Sequence, residues 1–149
     1  RPAKVEAFDG PAFIFRRELL KETYLFDPLF FYGAETTDLA ERVRKLGCEI
    51  WACPQAVVHH EIHGSYREKP LVVRPRMLRN NLAHTLTNYG IGQLAVTLVA
   101  VLTSCLAYVR KRQLFTAKQY LEGIALFVLS VGILVKSARL MAGLQARGE

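Results

Sequence analysis

The sequence lacks the patterns that define several common functional classes. Its three cysteines, Cys48, Cys53 and Cys105, contain no Cys-x-x-Cys spacing, and their odd number argues against a disulfide framework and a zinc ribbon. On one strand Cys48 and Cys53 would face opposite sides, so they could not form a bridge. We therefore expect reduced thiols in a domain that faces the cytosol. No RNA- or DNA-binding motif occurs, so no nucleic acid is expected as a partner despite a net charge of +7.

Charged residues are absent over a long internal stretch. Residues 80–109 include no Asp, Glu, Lys or Arg, and the uncharged run 91–109 reaches about 28 Å as a helix, close to the thickness of a bilayer core. A second apolar run, 123–135, is shorter and spans a membrane only if its flanking charges snorkel. The remaining sequence is too small to wrap a helix that is hydrophobic all round. We therefore predict a helical membrane-anchor region over residues 91–149. Basic residues beside the apolar runs favour contact with anionic membrane lipids.

The first 90 residues show alternating strand and helix patterns, which indicate an α/β fold class. We predict strand structure over 4–16 with a turn at Gly10, a short helix over 17–21 and an ordered aromatic loop over 24–34. A helix from Thr36 or Thr37 to Leu46 follows, with a threonine cap and an apolar face of Leu39, Val43 and Leu46. Gly47 is expected to end this helix. Further strands are predicted over 49–52 and 56–60, and a basic, polar helical segment over 70–90.

The order of these features resembles the acceptor-side half of the family 2 glycosyltransferases, which have the GT-A fold. The most informative stretch is 26–42, FDPLFFYGAETTDLAER, which a histidine cluster follows about twenty residues later. The matching residues are Gly10, Arg16, Arg17, Phe26, Asp27, Phe30, Phe31, Glu35, Asp38, Leu39, Arg42, Gly47, Pro54, Ala56 and His60. The resemblance implies a partial GT-A (nucleotide-diphospho-sugar transferase) domain over residues 1–90, followed by two hydrophobic membrane-associated helices.

The resemblance implies transfer of a sugar from a nucleotide-diphosphate donor to a glycan or lipid-linked acceptor, as in polysaccharide biosynthesis. The family's metal-binding Asp-x-Asp belongs to a nucleotide-binding half that this sequence does not contain. Because the chain also starts at Arg1 without Met, we expect a fragment that is inactive without that half. A divalent metal, Mg²⁺ or Mn²⁺, would be shared with the missing half. By resemblance, His60 would be a ligand of the metal or of the diphosphate.

The candidate catalytic residues are carboxylates, because glycosyl transfer needs a base for the proton of the acceptor hydroxyl. The family's Glu-Asp pair reads Glu35-Thr36 here, and its second acid is the usual base. A hydroxyl cannot replace a carboxylate as base, which leaves Glu35 and Asp38. Alternatively, Asp38 is a favourable charge in the first helical turn and Glu35 is a solvated loop residue. Thr36 also supports a second hypothesis, a non-catalytic membrane-anchored scaffold derived from such an enzyme.

Candidate substrate-binding residues also follow from the resemblance. They are Gly10, Phe31, Arg42, Arg79 and Asn80. Phe31 could stack on a sugar ring or pack within its loop. Arg42 would pair with an acid on the preceding loop or lie on a solvated helix face, and the Arg79-Asn80 pair would contact a phosphate or a lipid acceptor. A zinc site at His59, Glu61 and His63 is a separate possibility, since these residues would share one face of a strand.

The sequence is compatible with several membrane topologies. Two spanning helices would keep both chain ends in the cytoplasm, where a nucleotide-sugar enzyme needs its catalytic part. They would also place the basic linker 110–118 outside, against the positive-inside tendency. A re-entrant hairpin, an interfacial second helix and a single span are the alternatives.

Overall fold

The computed structural model describes residues 1–23, 25–60 and 70–145, without the side chains of residues 20, 70–73 and 133–145. The chain forms two compact units, Arg1–Gly64 and Ser65–Glu149. The first contains a small sheet and short helices, and the second consists of long helices, so the protein is mostly helical. Strand structure within the described residues is limited to two short strands, and a GT-A domain is not visible there. The predicted domain boundary at residue 90 falls inside the second of these units and stays a prediction.

Five short elements lie among the described residues of the N-terminal unit. They are β1 (Ala3–Val5), α1 (Leu19–Thr23), a 3₁₀ turn (Pro28–Phe30), α2 (Glu35–Lys45) and β2 (Ile50–Ala52). The strands pair antiparallel, with Lys4 opposite Trp51. The prediction for 4–16 is therefore correct only at its start, and the helix predicted at 17–21 begins two residues later. The strand predicted over 56–60 is wrong, because the chain turns after Cys53 and these residues have no strand partner among those described.

Helix α2 ends as its sequence predicts but begins differently. The Gly47 N–H bonds the Arg44 carbonyl and the Cys48 N–H bonds the Val43 carbonyl, with Gly47 at φ 75°, which is the Schellman arrangement. At the other end the cap is Ala34, without a side-chain hydrogen bond, so the predicted threonine cap is wrong. The buried apolar face consists of Leu39, Ala40 and Val43. Leu46 does not belong to this face, because it lies at the exposed C-terminal end of α2.

The C-terminal unit contains α3 (Pro70–Arg110) and α4 (Leu114–Gln145). Gly90 interrupts α3 with non-helical angles, φ 80° and ψ −176°. Arg74 and Tyr108, on either side of this break, line one cavity, although a straight helix would place them about 51 Å apart. The chain therefore reverses its direction near Gly90, and α3 consists of two arms that fold back on each other. The predicted helical segments 70–90 and 91–109 are confirmed as these two arms.

Two stretches of the C-terminal unit are long and apolar enough to cross a membrane, Arg74–Arg110 and Leu114–Gly132. In the most apolar 18-residue segment of each stretch, only 17% and 28% is buried, whereas the core helix of a soluble protein is mostly buried. Apolar side chains point outward along both, including Ile91, Val96, Val99, Leu102, Val128 and Leu129. These features support the predicted membrane association. The second stretch is longer than the predicted run because it includes Lys118 and Glu122, which lie 3.7 Å apart as an exposed ion pair.

Close contact between α3 and α4 depends on a small residue. A Cβ atom added at Gly123 would lie 2.9 Å from the Leu78 Cβ and 3.0 Å from the Pro75 carbonyl oxygen. Further along, the Cys105 thiol lies 3.6 Å from the Ala117 carbonyl oxygen. Small residues at such positions let helix backbones approach, as is common between membrane helices. All three cysteines are free thiols, as predicted.

Candidate functional site

The N-terminus of α2 follows a turn with an unusual backbone. Tyr32, Gly33 and Ala34 have φ values of 70°, 104° and 68°, so three successive residues have positive φ, and two of them are not glycine. The Gly33 N–H donates a hydrogen bond to the Glu35 carboxylate, which is half-buried. This contact turns the first side chain of α2 back over the loop that precedes it. A left-handed conformation costs a non-glycine residue free energy, and strained residues of this kind cluster at functional sites.

Asp38 and Arg42 form a buried ion pair one turn further along α2. The Arg42 Nε donates to the Asp38 Oδ2 at 2.8 Å, and the two side chains are only 10% and 8% exposed. The Arg42 Nη1 donates to the Thr23 carbonyl, and its Nη2 donates to the Leu25 carbonyl at 2.7 Å. One guanidinium therefore connects α2 to the end of α1 and to the start of the aromatic loop. Arg42 pairs with an acid of its own helix and not of the preceding loop, and it does not lie on a solvated face.

Gly10 lies next to the start of α2. A Cβ atom at Gly10 would be 3.4 Å from the Thr36 Cγ2, and the Gly10 N–H bonds the neighbouring Asp9 carboxylate at 2.9 Å. The structure thus brings the predicted substrate-binding residue Gly10 close to the residue that follows Glu35. Phe31 is 73% exposed, beside the buried Phe30. A ring so exposed is available for contact with a ligand, as stacking requires.

The predicted metal site has no complete set of ligands among the described residues. His60 is exposed, and no group of three His, Cys, Asp or Glu side chains within 1–23, 25–60 and 70–145 could hold a metal ion. Of the alternative zinc set, Glu61 and His63 lie outside the described residues. The metal site predicted at His60 therefore stays a prediction, and no chemical step is derived through a metal.

The Arg79-Asn80 pair belongs to the helical unit. The Arg79 Nε donates to the Ser130 hydroxyl at 3.2 Å, and its Nη1 donates to the Asn80 Oδ1 at 2.6 Å. Asn80 is 1% exposed, and the Ser130 hydroxyl donates to the Phe127 carbonyl at 2.9 Å. The pair thus takes part in a polar contact between α3 and α4, and the predicted binding of phosphate or lipid acceptor stays a prediction.

The sequence analysis did not predict the hydrogen-bond partners of Arg42 and Arg79. The i,i+4 spacing of Asp38 and Arg42 is a signal for their ion pair, and a serine inside an apolar run is a weak signal for a buried polar contact. The carbonyls of Thr23 and Leu25 left no signal, because every residue carries one. No protein-family model matches this chain, nor does any curated protein or solved structure.

Proposed function

We propose that the chain is part of a membrane-attached glycosyltransferase of the GT-A type and that residues 1–90 form its acceptor side. The reaction would transfer a sugar from a nucleotide-diphosphate donor to a glycan or lipid-linked acceptor. The observation that carries this proposal is the position of Glu35. A left-handed turn holds its carboxylate at the N-terminus of α2, with Gly10 beside Thr36 and the exposed ring of Phe31 nearby in sequence.

Glu35 is the general base in this proposal. It takes the proton of the acceptor hydroxyl while the acceptor oxygen bonds to the sugar carbon and the nucleoside diphosphate leaves. Asp38 is a positioning residue, since it is 8% exposed and its carboxylate binds Arg42. A proton taken up by Asp38 would weaken that ion pair, so its charge supports the structure around Glu35 instead. The donor, its diphosphate and any divalent metal would be held mainly by a nucleotide-binding half outside this sequence.

The reversal at Gly90 supports a cytoplasmic catalytic part. The chain enters the helical unit at Pro70, and Arg74 lines one cavity with Tyr108 and Tyr120, which flank the turn between α3 and α4. The entry point and the basic turn at 110–112 therefore lie at the same end of the unit. By the positive-inside rule this end faces the cytoplasm, where nucleotide-sugars are made. This arrangement supports the re-entrant alternative, in which a basic linker and a cytoplasmic catalytic part would be compatible.

An assay in native membranes tests the proposal. Membranes from cells that produce the complete protein receive a panel of radiolabelled nucleotide-sugars, and label in lipid and glycan fractions is counted. We expect Glu35→Gln to lower transfer by about 100-fold or more, the usual effect of a lost general base. Glu41→Gln, on the same helix, is the matched control and should stay within about twofold of wild type. Protein levels are matched by immunoblotting.

Two results would contradict the proposal. Full transfer by the Glu35→Gln variant would remove Glu35 as the base. No transfer by the wild-type protein with any donor, together with unchanged cellular glycan in the Glu35→Gln and Asp38→Asn strains, would favour the non-catalytic scaffold.

A further inference from the structure

A cavity of about 420 Å³ lies between the arms of α3 and α4, at the end of the helical unit that carries the basic turn. Arg74 and Asn81 of the first arm, Tyr108 of the second arm, and Gln119 and Tyr120 of α4 contribute to its lining. The rings of Tyr108 and Tyr120 lie 5.5 Å apart at an angle of 42°. The cavity therefore combines a cation, amides and two phenols in a helical unit that exposes many apolar side chains.

Gln119, in the lining of this cavity, has a side-chain oxygen that accepts no hydrogen bond. The residue is only 4% exposed, and its Oε1 is buried without a hydrogen-bond partner. Leaving a buried acceptor unpaired costs about 1–3 kcal/mol, so such atoms are rare unless a ligand or water satisfies them. An acceptor requires a donor, and the phosphodiester group of a lipid has none at neutral pH. The ligand that suits Gln119 therefore carries a hydroxyl or an ammonium group.

The cavity lies close to the turn that separates the two candidate membrane spans. Tyr108 is about 3 Å along the helix from the end of the first candidate span at Arg110, and Tyr120 is about 9 Å from the start of the second at Leu114. Tyrosines at such positions are typical of the membrane–water interface. Exposed basic residues surround this end, at Arg74, Arg76, Arg110, Lys111 and Arg112.

We propose that this cavity binds the headgroup of an anionic, hydroxyl-bearing phospholipid, of which phosphatidylglycerol is the simplest. Arg74 binds the lipid phosphate, and the headgroup hydroxyls donate to the Gln119 Oε1 and bond with the Asn81 amide. The acyl chains lie along the exposed apolar faces of the second arm and of α4. The surrounding positive charge favours an anionic lipid over a zwitterionic one. This inference concerns the helical unit alone and does not depend on the proposed glycosyl transfer.

Lipid-dependent thermal stability tests this site. The purified full chain is placed in dodecyl maltoside micelles, and its Tm is measured as phosphatidylglycerol, phosphatidylcholine, phosphatidylethanolamine or inorganic phosphate is added. A ligand that binds the folded state raises Tm with its concentration. We expect a saturable increase with phosphatidylglycerol and a much smaller one with each of the other three.

Three variants locate the binding. Arg74→Ala should weaken the apparent affinity for phosphatidylglycerol about fivefold, the effect of one basic residue near an anionic lipid. Arg76→Ala is the matched control, because Arg76 is exposed on the same arm but does not line the cavity. Gln119→Leu removes the unpaired acceptor at similar volume, so it should leave the lipid-free Tm equal or higher while it reduces the increase with phosphatidylglycerol.

Each contrary outcome overturns the proposal. Equal losses in Arg74→Ala and Arg76→Ala would mean general attraction between a basic surface and anionic lipid. An unchanged lipid response in Gln119→Leu would mean that Gln119 is not in contact with the headgroup. An equal Tm increase with phosphatidylethanolamine or inorganic phosphate would remove the selectivity on which the assignment depends.

Discussion

Removal of the Asp38 carboxylate is the sharpest test of how the N-terminal unit is held together. In Asp38→Ala, Arg42 keeps its bonds to the Thr23 and Leu25 carbonyls but loses the carboxylate that lies 2.8 Å from its Nε, at a site where the Arg42 side chain is 10% exposed. Breaking a buried ion pair by removing one partner costs about 3–5 kcal/mol. Because two acceptors for the guanidinium remain, we expect the low end of this range, about 3 kcal/mol.

Amide hydrogen exchange of α2 measures this loss without interference from the long helices. A change of about 3 kcal/mol in the free energy of opening corresponds to a roughly 100-fold faster exchange of the buried amides of α2. Glu41→Ala is the control, since the Glu41–Arg44 pair on the same helix is longer, at 3.3 Å, and Arg44 is 41% exposed. An exposed pair contributes at most about 1 kcal/mol, so exchange in this control should rise no more than about fivefold.

A double variant separates the ion pair from simple loss of packing. Arg42→Met removes the charge that Asp38→Ala leaves unpaired, so the combination should be less destabilised than the sum of the two single changes. A coupling free energy near zero would refute the reasoning, as would equal exchange rates in Asp38→Ala and Glu41→Ala. Either result would mean that Arg42 connects α2 to the preceding segment through the two carbonyls alone.

Three further predictions concern single positions. Gly123→Ala should lower the stability of the helical unit by about 1–3 kcal/mol, measured as Tm in micelles, because the added Cβ overlaps the facing arm of α3. Gly47→Ala should destabilise α2 by about 1 kcal/mol, seen as faster amide exchange, since nothing crowds that Cβ and only its φ of 75° is unfavourable. The Lys4 ammonium lowers the pKa of the Glu49 carboxyl, and the Trp51 indole lowers it further. The Lys4–Glu49 pair therefore stabilises the fold fully above the ordinary pKa of Glu49, and this contribution is lost as the pH falls through the lowered pKa. Lys4→Met should return the pKa of Glu49 toward 4.5 in an NMR titration.

The features that the sequence predicted well are those with local causes. The end of α2 follows from the conformational freedom of Gly47, and the two arms of α3 follow from uninterrupted helical patterns. The start of α2 was predicted wrongly because the helix begins after a turn and not at a threonine cap. In this turn Ala34 adopts a left-handed conformation, against the intrinsic preference of alanine. The prediction of a strand over 56–60 was wrong because a strand needs a second strand to pair with, often distant in sequence, which composition does not reveal.

The sequence indicated which residues belong to the candidate site, but it did not indicate the contacts that they make. The pattern around Glu35 and Asp38 marked both as chemically interesting, yet their environments differ in ways that no spacing shows. Asp38 is buried against an arginine, whereas Glu35 is half-buried and bonds a backbone N–H. The reversal at Gly90 was also hidden, because one glycine in a helical pattern usually costs only a little stability.

Ala34→Gly separates stability from positioning at the candidate site. Glycine adopts a φ of 68° without the penalty that alanine has, about 1–2 kcal/mol, and its greater freedom in the unfolded chain offsets part of the gain. We therefore expect α2 to become more stable by about 0.5 kcal/mol in amide exchange. The turn would then contain two adjacent glycines, so the hydrogen bond from the Gly33 N–H to Glu35 should be populated less. Transfer activity in the membrane assay should accordingly fall several-fold while stability rises, a trade-off common at functional sites. If stability and transfer both rise, the left-handed turn has no part in positioning Glu35.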